Sequence, residues 1–275
     1  MRPIVALLTD FGLTDHYVGA VKGAILAACP EATVVDIAHD LPPHDVDAGS
    51  YALGAAYRAF PAGAVFLAVV DPGVGSARRA IALTAGGYRF VGPDNGVFSL
   101  VLGEHPDAIA REIVNRALFR HEVSSTFHAR DIFGPVAGHL AAGWAIEDVG
   151  PPASDLVCFA EPQPREISDG VWEAEVVQVD RFGNLTTNLS RAMLDRILAS
   201  IADAGELVVS VESAVLPLVA AYSDVPEGEG CALLGSSGRL EVAIHAGNAS
   251  RLFGAGRGAP VRVRRVSVRL EGPVL

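Results

Sequence analysis

The sequence predicts an α/β protein with an N-terminal, mainly parallel sheet flanked by helices and a C-terminal small all-β barrel domain. Three observations predict it. In the first 160 residues, runs that are apolar nearly throughout alternate with segments of helical spacing, as expected of strands covered on both faces. Near Gly150-Pro151-Pro152 the character changes, and Pro162 to Arg165 continues a Pro-rich linker. Beyond the linker, short β-rich runs follow with one helical piece among them. The expected domains are therefore 1–160 and 161–275.

Strand-like runs in the first domain are Ile4–Thr9, Thr33–Ile37, Ala64–Val70, Ala80–Thr84 and Tyr88–Val91. Helical patterns cover 16–28, 45–59 and 131–142, with Asp15, Asp45 and Asp131 standing where N-caps belong. His39-Asp40-Leu41-Pro42-Pro43-His44-Asp45 must be a loop because of its paired prolines. In the second domain the β-rich runs are Val171–Val179, Glu206–Val211, Cys231–Leu234, Leu240–Ala243 and Val261–Val268, and Ser190–Ser200 reads as helix. Val261, Val263, Val266 and Val268 alternate with Arg262, Arg264, Arg265 and Arg269, which describes a half-buried terminal strand with its arginines in water.

Composition narrows the function classes. Half of the 275 residues are hydrophobic and 19% are charged, a balance that can build a core. The net charge of -11 argues against a nucleic-acid partner, because phosphate binding needs clustered cations. No apolar run approaches the ~18 residues of a membrane span, and the opening run is too short for a signal peptide. Cys29, Cys158 and Cys231 are far apart in apolar contexts, an odd set that fits buried thiols in a reducing, cytoplasmic setting better than a disulfide framework or zinc site. Without a secretion signal, the glycosylation-like triplets at Asn184, Asn188 and Asn248 are coincidental.

Several polar clusters interrupt the apolar runs. Asp10 in Thr9-Asp10-Phe11-Gly12 closes the first strand, and acids at such tips either hold ribose hydroxyls or, with Asp15, cap turns and a helix. The triplet Asp-Phe-Gly matches a kinase magnesium motif by letter but stands at the start of the chain, without the elements that precede it in a kinase. Asp71-Pro72-Gly73-Val74-Gly75-Ser76-Ala77-Arg78 follows a buried strand and lacks the ending of a phosphate loop; it reads as an acid gripped by Arg78 for function, or as a salt bridge at a turn. His128 lies in Thr126-Phe127-His128-Ala129-Arg130-Asp131 before a helix, facing a cleft or merely packed. His39, Asp40, His44 and Asp45 fit no metal spacing well and read as a polar surface loop. Asp180-Arg181-Phe182-Gly183-Asn184 offers a ring and an amide to an adenine, or is an ordinary hairpin turn. Tyr222-Ser223-Asp224-Val225 and Leu234-Gly235-Ser236-Ser237-Gly238-Arg239-Leu240-Glu241 are further polar loops between strands.

Taken in order, these segments, with Gly92-Pro93-Asp94-Asn95-Gly96 and Gly247-Asn248-Ala249, resemble the S-adenosylmethionine hydrolase family, also called S-adenosylmethionine hydroxide adenosyltransferase. That family is related to the fluorinases and chlorinases, and the resemblance spans nearly the whole chain. It implies a homotrimer whose active site lies between the first domain of one subunit and the barrel of the next. It also implies conversion of S-adenosyl-L-methionine and water to adenosine and L-methionine, with no cofactor and no metal. By motif match, Asp71, Arg78 and His128 fall on the water-activating set and Asp10 on the ribose-binding acid. Asp15 and Asp180 fall near the methionine end, Phe182 and Asn184 on the adenine site, and Ser236 on the methionine carboxylate side. Asn95, Tyr222 and Glu241 are carried over as further substrate-binding residues. The halogenases have Tyr where Asp71 stands and Trp where His44 stands, and the fluorinases carry a long insertion after Thr84 that is absent here, so halide is not the expected nucleophile. Ser237 replaces an Arg that often follows the first Ser. The alternatives are an S-adenosylmethionine-dependent halogenase, a non-catalytic adenosine or S-adenosylmethionine sensor, and a metal-dependent hydrolase built on the His39–Asp45 loop.

Overall fold

The structure, a computed structural model, describes residues 2–199 and 205–267. Two compact units divide the chain, Met1–Ala160 and Glu161–Leu275. The first contains β1 (Ile4–Thr9), α1 (Tyr17–Ala28), β2 (Thr33–Ala38), α2 (Val46–Ala56), β3 (Val65–Val69), β4 (Ala80–Ala85), β5 (Tyr88–Pro93), α3 (Ser99–Glu104), β6 (Ile109–Glu112) and α4 (Gly134–Ala141). Its six strands form one sheet in the order β2-β1-β3-β5-β4-β6. Pairing is parallel from β2 to β5, whereas β4 lies antiparallel to both β5 and β6. The reversal is local in origin: only Gly86 and Gly87 join β4 to β5, both at positive φ, and two residues can close a hairpin but not a crossover.

Side-chain alternation along the central strands builds two cores. Val5, Leu7, Val65, Leu67 and Val69 pack with Val18, Val21 and Ile25 of α1 and Val136 and Leu140 of α4. The intervening Ala6, Leu8, Phe66 and Ala68 pack on the opposite face with Leu53 of α2 and Val101 of α3. Each fully buried Val, Leu or Phe in these layers contributes about 1.5–3 kcal/mol.

The order also fixes where chemistry can sit. From β1 the chain passes to β2 on one side and then returns to β3 on the other, so a crevice opens at the C-terminal tips of β1 and β3. Thr9 pairs with Val69 at those tips, and Asp10 and Asp71 follow directly beyond them.

The second unit contains β7 (Arg165–Ser168), β8 (Val171–Val179), β9 (Leu185–Ser190), α5 (Arg191–Ala199), β10 (Gly205–Val211), β11 (Ala214–Pro217), β12 (Gly230–Leu234), β13 (Arg239–Ile244), α6 (Ala249–Phe253) and β14 (Pro260–Ser267). Its path β11-β10-β14-β8-β9-β13-β12 is antiparallel throughout, with β7 added at β8. A bridge from Leu218 to Ala232 joins the two ends of the path, giving a nearly closed barrel. Val176, Leu185, Val209, Val242, Val261 and Val263 fill it. Arg262 and Arg264 of β14 are exposed as their alternation requires. Ser200, Val268 and Arg269 lie outside the described residues, as do the side chains of Arg265 and Val266.

Three local expectations need correction. Asp45 does cap α2, accepting from Ala48 N at 2.9 Å, but α1 has His16 at its N-cap position without a side-chain cap, one residue past Asp15. Asp131 caps nothing: it is fully buried within a π-helical turn, Ala129–Phe133, where Arg130 engages its carboxylate. Cys158 is exposed, because the linker that carries it lies outside the sheet layers, while Cys29 and Cys231 are buried. Among the described residues, no helix is long and apolar enough to cross a membrane.

Candidate active site

The first unit gathers Asp71, Arg78 and His128 into one contact network. The loop after β3 reverses through Gly75, at φ +77°, where an added Cβ would collide with the Ser125 carbonyl. That turn returns Arg78 to Asp71. Arg78 Nε donates to Asp71 Oδ1 at 2.8 Å and Oδ2 at 3.0 Å, Nη2 also donates to Oδ2, and both side chains are at least nine-tenths buried. The guanidinium lies 5.1 Å from the centre of the Phe133 ring, a cation–π contact that fixes its plane.

Arg78 Nη2 also stands 3.1 Å from His128 Nδ1. A guanidinium has only donors, so Nδ1 must be the accepting nitrogen and the ring hydrogen sits on Nε2. Burial, and then the charge of Arg78, push the His128 pKa below the ordinary imidazole value, while Asp71 and Asp131 pull it the other way. The neutral Nε2–H form is thus the resting state at neutral pH. His128 immediately precedes the π-helical turn, and such turns often re-aim a residue at a functional site. Burial would raise the Asp131 carboxyl, but hydrogen bonds from Arg130 and Ser124 N–H outweigh it and hold the pKa below the ordinary value. This buried carboxylate ties the loop before His128 to the turn after it.

The other residues expected on this unit fall into different places. Asp10 lies beyond β1, its Oδ2 accepting from His44 N at 2.8 Å. His44 has φ +68°, a left-handed conformation uncommon outside glycine and frequent at functional loops. Asp15 is exposed in the turn before α1. Asn95 acts on the framework: its Nδ2 donates to Val70 O at 2.8 Å and its Oδ1 accepts from Val97 N at 3.2 Å, bracing the end of β3 just before Asp71. The neighbouring Arg79 faces away, pairing with Asp94 and donating to Ser154 O and Asp155 O, so adjacent arginines serve the cluster and the linker.

On the barrel, one open cavity of about 870 Å³ collects Asp180, Phe182, Asn184, Tyr222, Ser236 and Glu241. Asp180 organises the turn between β8 and β9: Oδ1 accepts from Phe182 N at 2.9 Å and Asn184 N at 2.8 Å, and Oδ2 accepts from Asn184 Nδ2 at 3.1 Å. Gly183 has φ +88°, and an added Cβ would strike the Asn248 side chain. The turn leaves the Phe182 ring 73% exposed, available for stacking. Tyr222 OH donates to Glu241 Oε1 at 2.6 Å, while Glu241 is only 8% exposed. Burial pushes the Glu241 pKa up, Tyr222 lowers it and Asp180 raises it; burial and then Glu241 raise Tyr222 in turn. Ile244, His245, Ala246 and Gly247 also line the cavity, and Ala246 has φ +54°. Gly247 belongs to the Gly247-Asn248-Ala249 segment already noted, whereas Ile244, His245 and Ala246 were missed, because nothing in their residue types points to a ligand.

The His39–Asp45 segment is not simply a polar surface loop. His39 is 4% exposed and its Nδ1 lies 2.8 Å from Thr9 Oγ1.

Comparison with known proteins covers nearly the whole chain. Residues 5–150 match the SAM hydroxide adenosyltransferase N-terminal domain, and residues 174–262 match the corresponding C-terminal domain. A Thermus thermophilus protein named (R)-S-adenosyl-L-methionine hydrolase is 42% identical over 96% of this chain and 100% of its own length. A protein of the same name from Salinispora tropica is 41% identical over 95% of this chain and 97% of its own. A fluorinase from an Actinoplanes species is 32% identical over 89% of this chain and 92% of its own. Among solved structures, an uncharacterised conserved protein from Thermotoga maritima superposes with a TM-score of 0.88 at 37% identity, covering 95% of this chain and 100% of that one. The chain belongs to the SAM hydroxide adenosyltransferase family.

Proposed function

We propose that the protein is a hydrolase that converts S-adenosyl-L-methionine to adenosine and L-methionine, with water attacking ribose C5′. The observation that carries this reading is the continuous contact of Asp71, Arg78 and His128 at the tip of β3, in a chain of this family. Three relatives named as hydrolases, matched over 97–100% of their own length, are 38–42% identical to it. Their names specify the (R) epimer, and we extend that preference to this chain.

A sulfonium leaves as a neutral thioether and needs no acid. The protein's task is to align a water behind C5′ and receive its proton as the new C–O bond forms. His128 Nδ1 is occupied by Arg78 and Nε2 already carries hydrogen, so His128 donates to the water oxygen through Nε2. Asp71 keeps an open lone pair on Oδ1 and accepts the water's proton. Arg78 fixes both partners. The reaction needs no metal or cofactor, because the leaving group is activated already. Asp10 holds the ribose, Phe182 and Asn184 take the adenine, and Ser236 and Glu241 face the methionine. We further propose a homotrimer in the cytoplasm, with the cluster of one copy completed by the barrel cavity of the next; the exposed Phe182, at 73%, and Leu13, at 64%, suit such a contact.

The test is chromatography after incubation with each sulfonium epimer, with chelator and with excess halide in separate arms. Adenosine and methionine formed from the (R) epimer, unchanged by chelator and without a halogenated nucleoside, support the reading. A halogenated product would assign the chain to the halide users, and loss with chelator would reinstate a metal.

A further inference from the structure

The chain has a single lysine, Lys22 on α1, and it begins a polar chain that runs from the surface at Lys22 and Asp36 to the buried His39 and Thr9 and ends at the loop carrying Asp10. Lys22 Nζ lies 2.7 Å from Asp36 Oδ2. Asp36 Oδ1 lies 3.1 Å from His39 Nε2, an electrostatic contact off the line of a hydrogen bond. His39 Nδ1 lies 2.8 Å from Thr9 Oγ1, and Thr9 is fully buried. An ionised carboxylate only accepts, so Asp36 favours the His39 hydrogen on Nε2 and leaves Nδ1 to accept from the Thr9 hydroxyl, whose Oγ1 also accepts from Phe11 N at 3.3 Å. The His39 backbone joins in, its carbonyl accepting from Gly12 N at 2.8 Å. Both sides of Asp10 are therefore tied to one residue, and His44 N–H holds the Asp10 carboxylate itself at 2.8 Å.

We propose that His39 is a positioning residue for the nucleoside-binding acid, setting Asp10 through Thr9 and Gly12. This rests on the reading of Asp10 as the ribose contact. Filling space between β1 and β2 would need no imidazole there, and burying a ring nitrogen against a hydroxyl is costly unless the hydrogen bond between them is made, as it is at Nδ1. The function is alignment: a ribose held at the wrong angle places C5′ off the line of attack.

The two nitrogens separate the proposal from packing. In His39→Asn the amide oxygen reproduces the acceptor at Nδ1 and abandons Asp36, whereas His39→Gln reproduces the outer nitrogen and abandons Thr9. The assay measures kcat and KM, together with the ratio of affinities for adenosine and 2′,3′-dideoxyadenosine. The expected result is that His39→Gln and Thr9→Val lose about tenfold in kcat and in that ratio, the size of one lost hydrogen bond, while His39→Asn stays within about threefold of the parent. Equal effects of Asn and Gln, or an unchanged affinity ratio in both His39→Gln and Thr9→Val, would overturn the proposal. The binding ratio is independent of turnover, so a wild-type protein that discriminates the two nucleosides without releasing adenosine would refute the hydrolase reading and leave this one standing.

Discussion

The two polar clusters are built on opposite principles. At the tip of β3, charged groups are turned on one another: Arg78 grips Asp71 with two nitrogens, touches His128 with one of them and lies over Phe133. In the barrel cavity, the turn residues are held from behind and their faces are left open: Asp180 fixes the backbone of Phe182 and Asn184 while the ring stays exposed. A preorganised polar cluster suits bond making, since no reorganisation is needed as charge develops. An open platform suits recognition of a flat base. Substitutions should therefore separate, with the first cluster governing kcat and the cavity governing binding.

The largest effect is expected from Asp71→Asn, which keeps the shape but removes the proton acceptor and an ion pair. We expect kcat to fall by about 10²–10⁴, the usual range for positioned acid–base groups, with KM changed far less, as read by adenosine release. Gly183→Ala comes next. It forces a non-glycine residue to φ +88° against Asn248, and should cost at least about 1 kcal/mol in thermal unfolding and weaken adenosine binding with kcat less affected. If kcat fell and binding held, the division of labour would fail.

A pH profile sharpens the comparison. The neutral form of His128 is the active one, and its pKa lies below the ordinary value, so the rate should fall only on the acid side, below the usual imidazole range. Replacing Arg78 with Gln removes a lowering influence, so the acid limb of the residual activity should move to higher pH. NMR titration of the His128 ring checks the same direction independently. The smallest effect is expected for Tyr222→Phe, which deletes the donor to Glu241 Oε1. Because that hydrogen bond lowers the Glu241 pKa, the carboxyl should titrate at still higher pH in the variant, and affinity for S-adenosyl-L-methionine should change by about tenfold or less at unaltered kcat.

Much of this was legible in the residues. Apolar runs such as Ala64–Val70 announce buried strands, and an acid after each of β1 and β3 marks the switch point once the order is known. Asp71, Arg78 and His128 were legible only through family order, since 50 residues separate Arg78 from His128 and no local spacing links them. Three features were hidden. Asp131 occupies a cap position by sequence, yet burial beside Arg130 makes it an internal tie. Asn95 looks like a ligand group, but Val70 O and Val97 N lie within its reach. His39 sits in a Pro-rich polar segment, and only the tertiary approach of β1 to β2 buries it against Thr9.

The most direct measurement of the central claim is a turnover of (R)-S-adenosyl-L-methionine in ¹⁸O-water, followed by mass spectrometry of both products. Water attack at C5′ places one ¹⁸O in the 5′-hydroxyl of adenosine and none in methionine. Label in an amino-acid product instead, or adenosine released without label, would contradict the account.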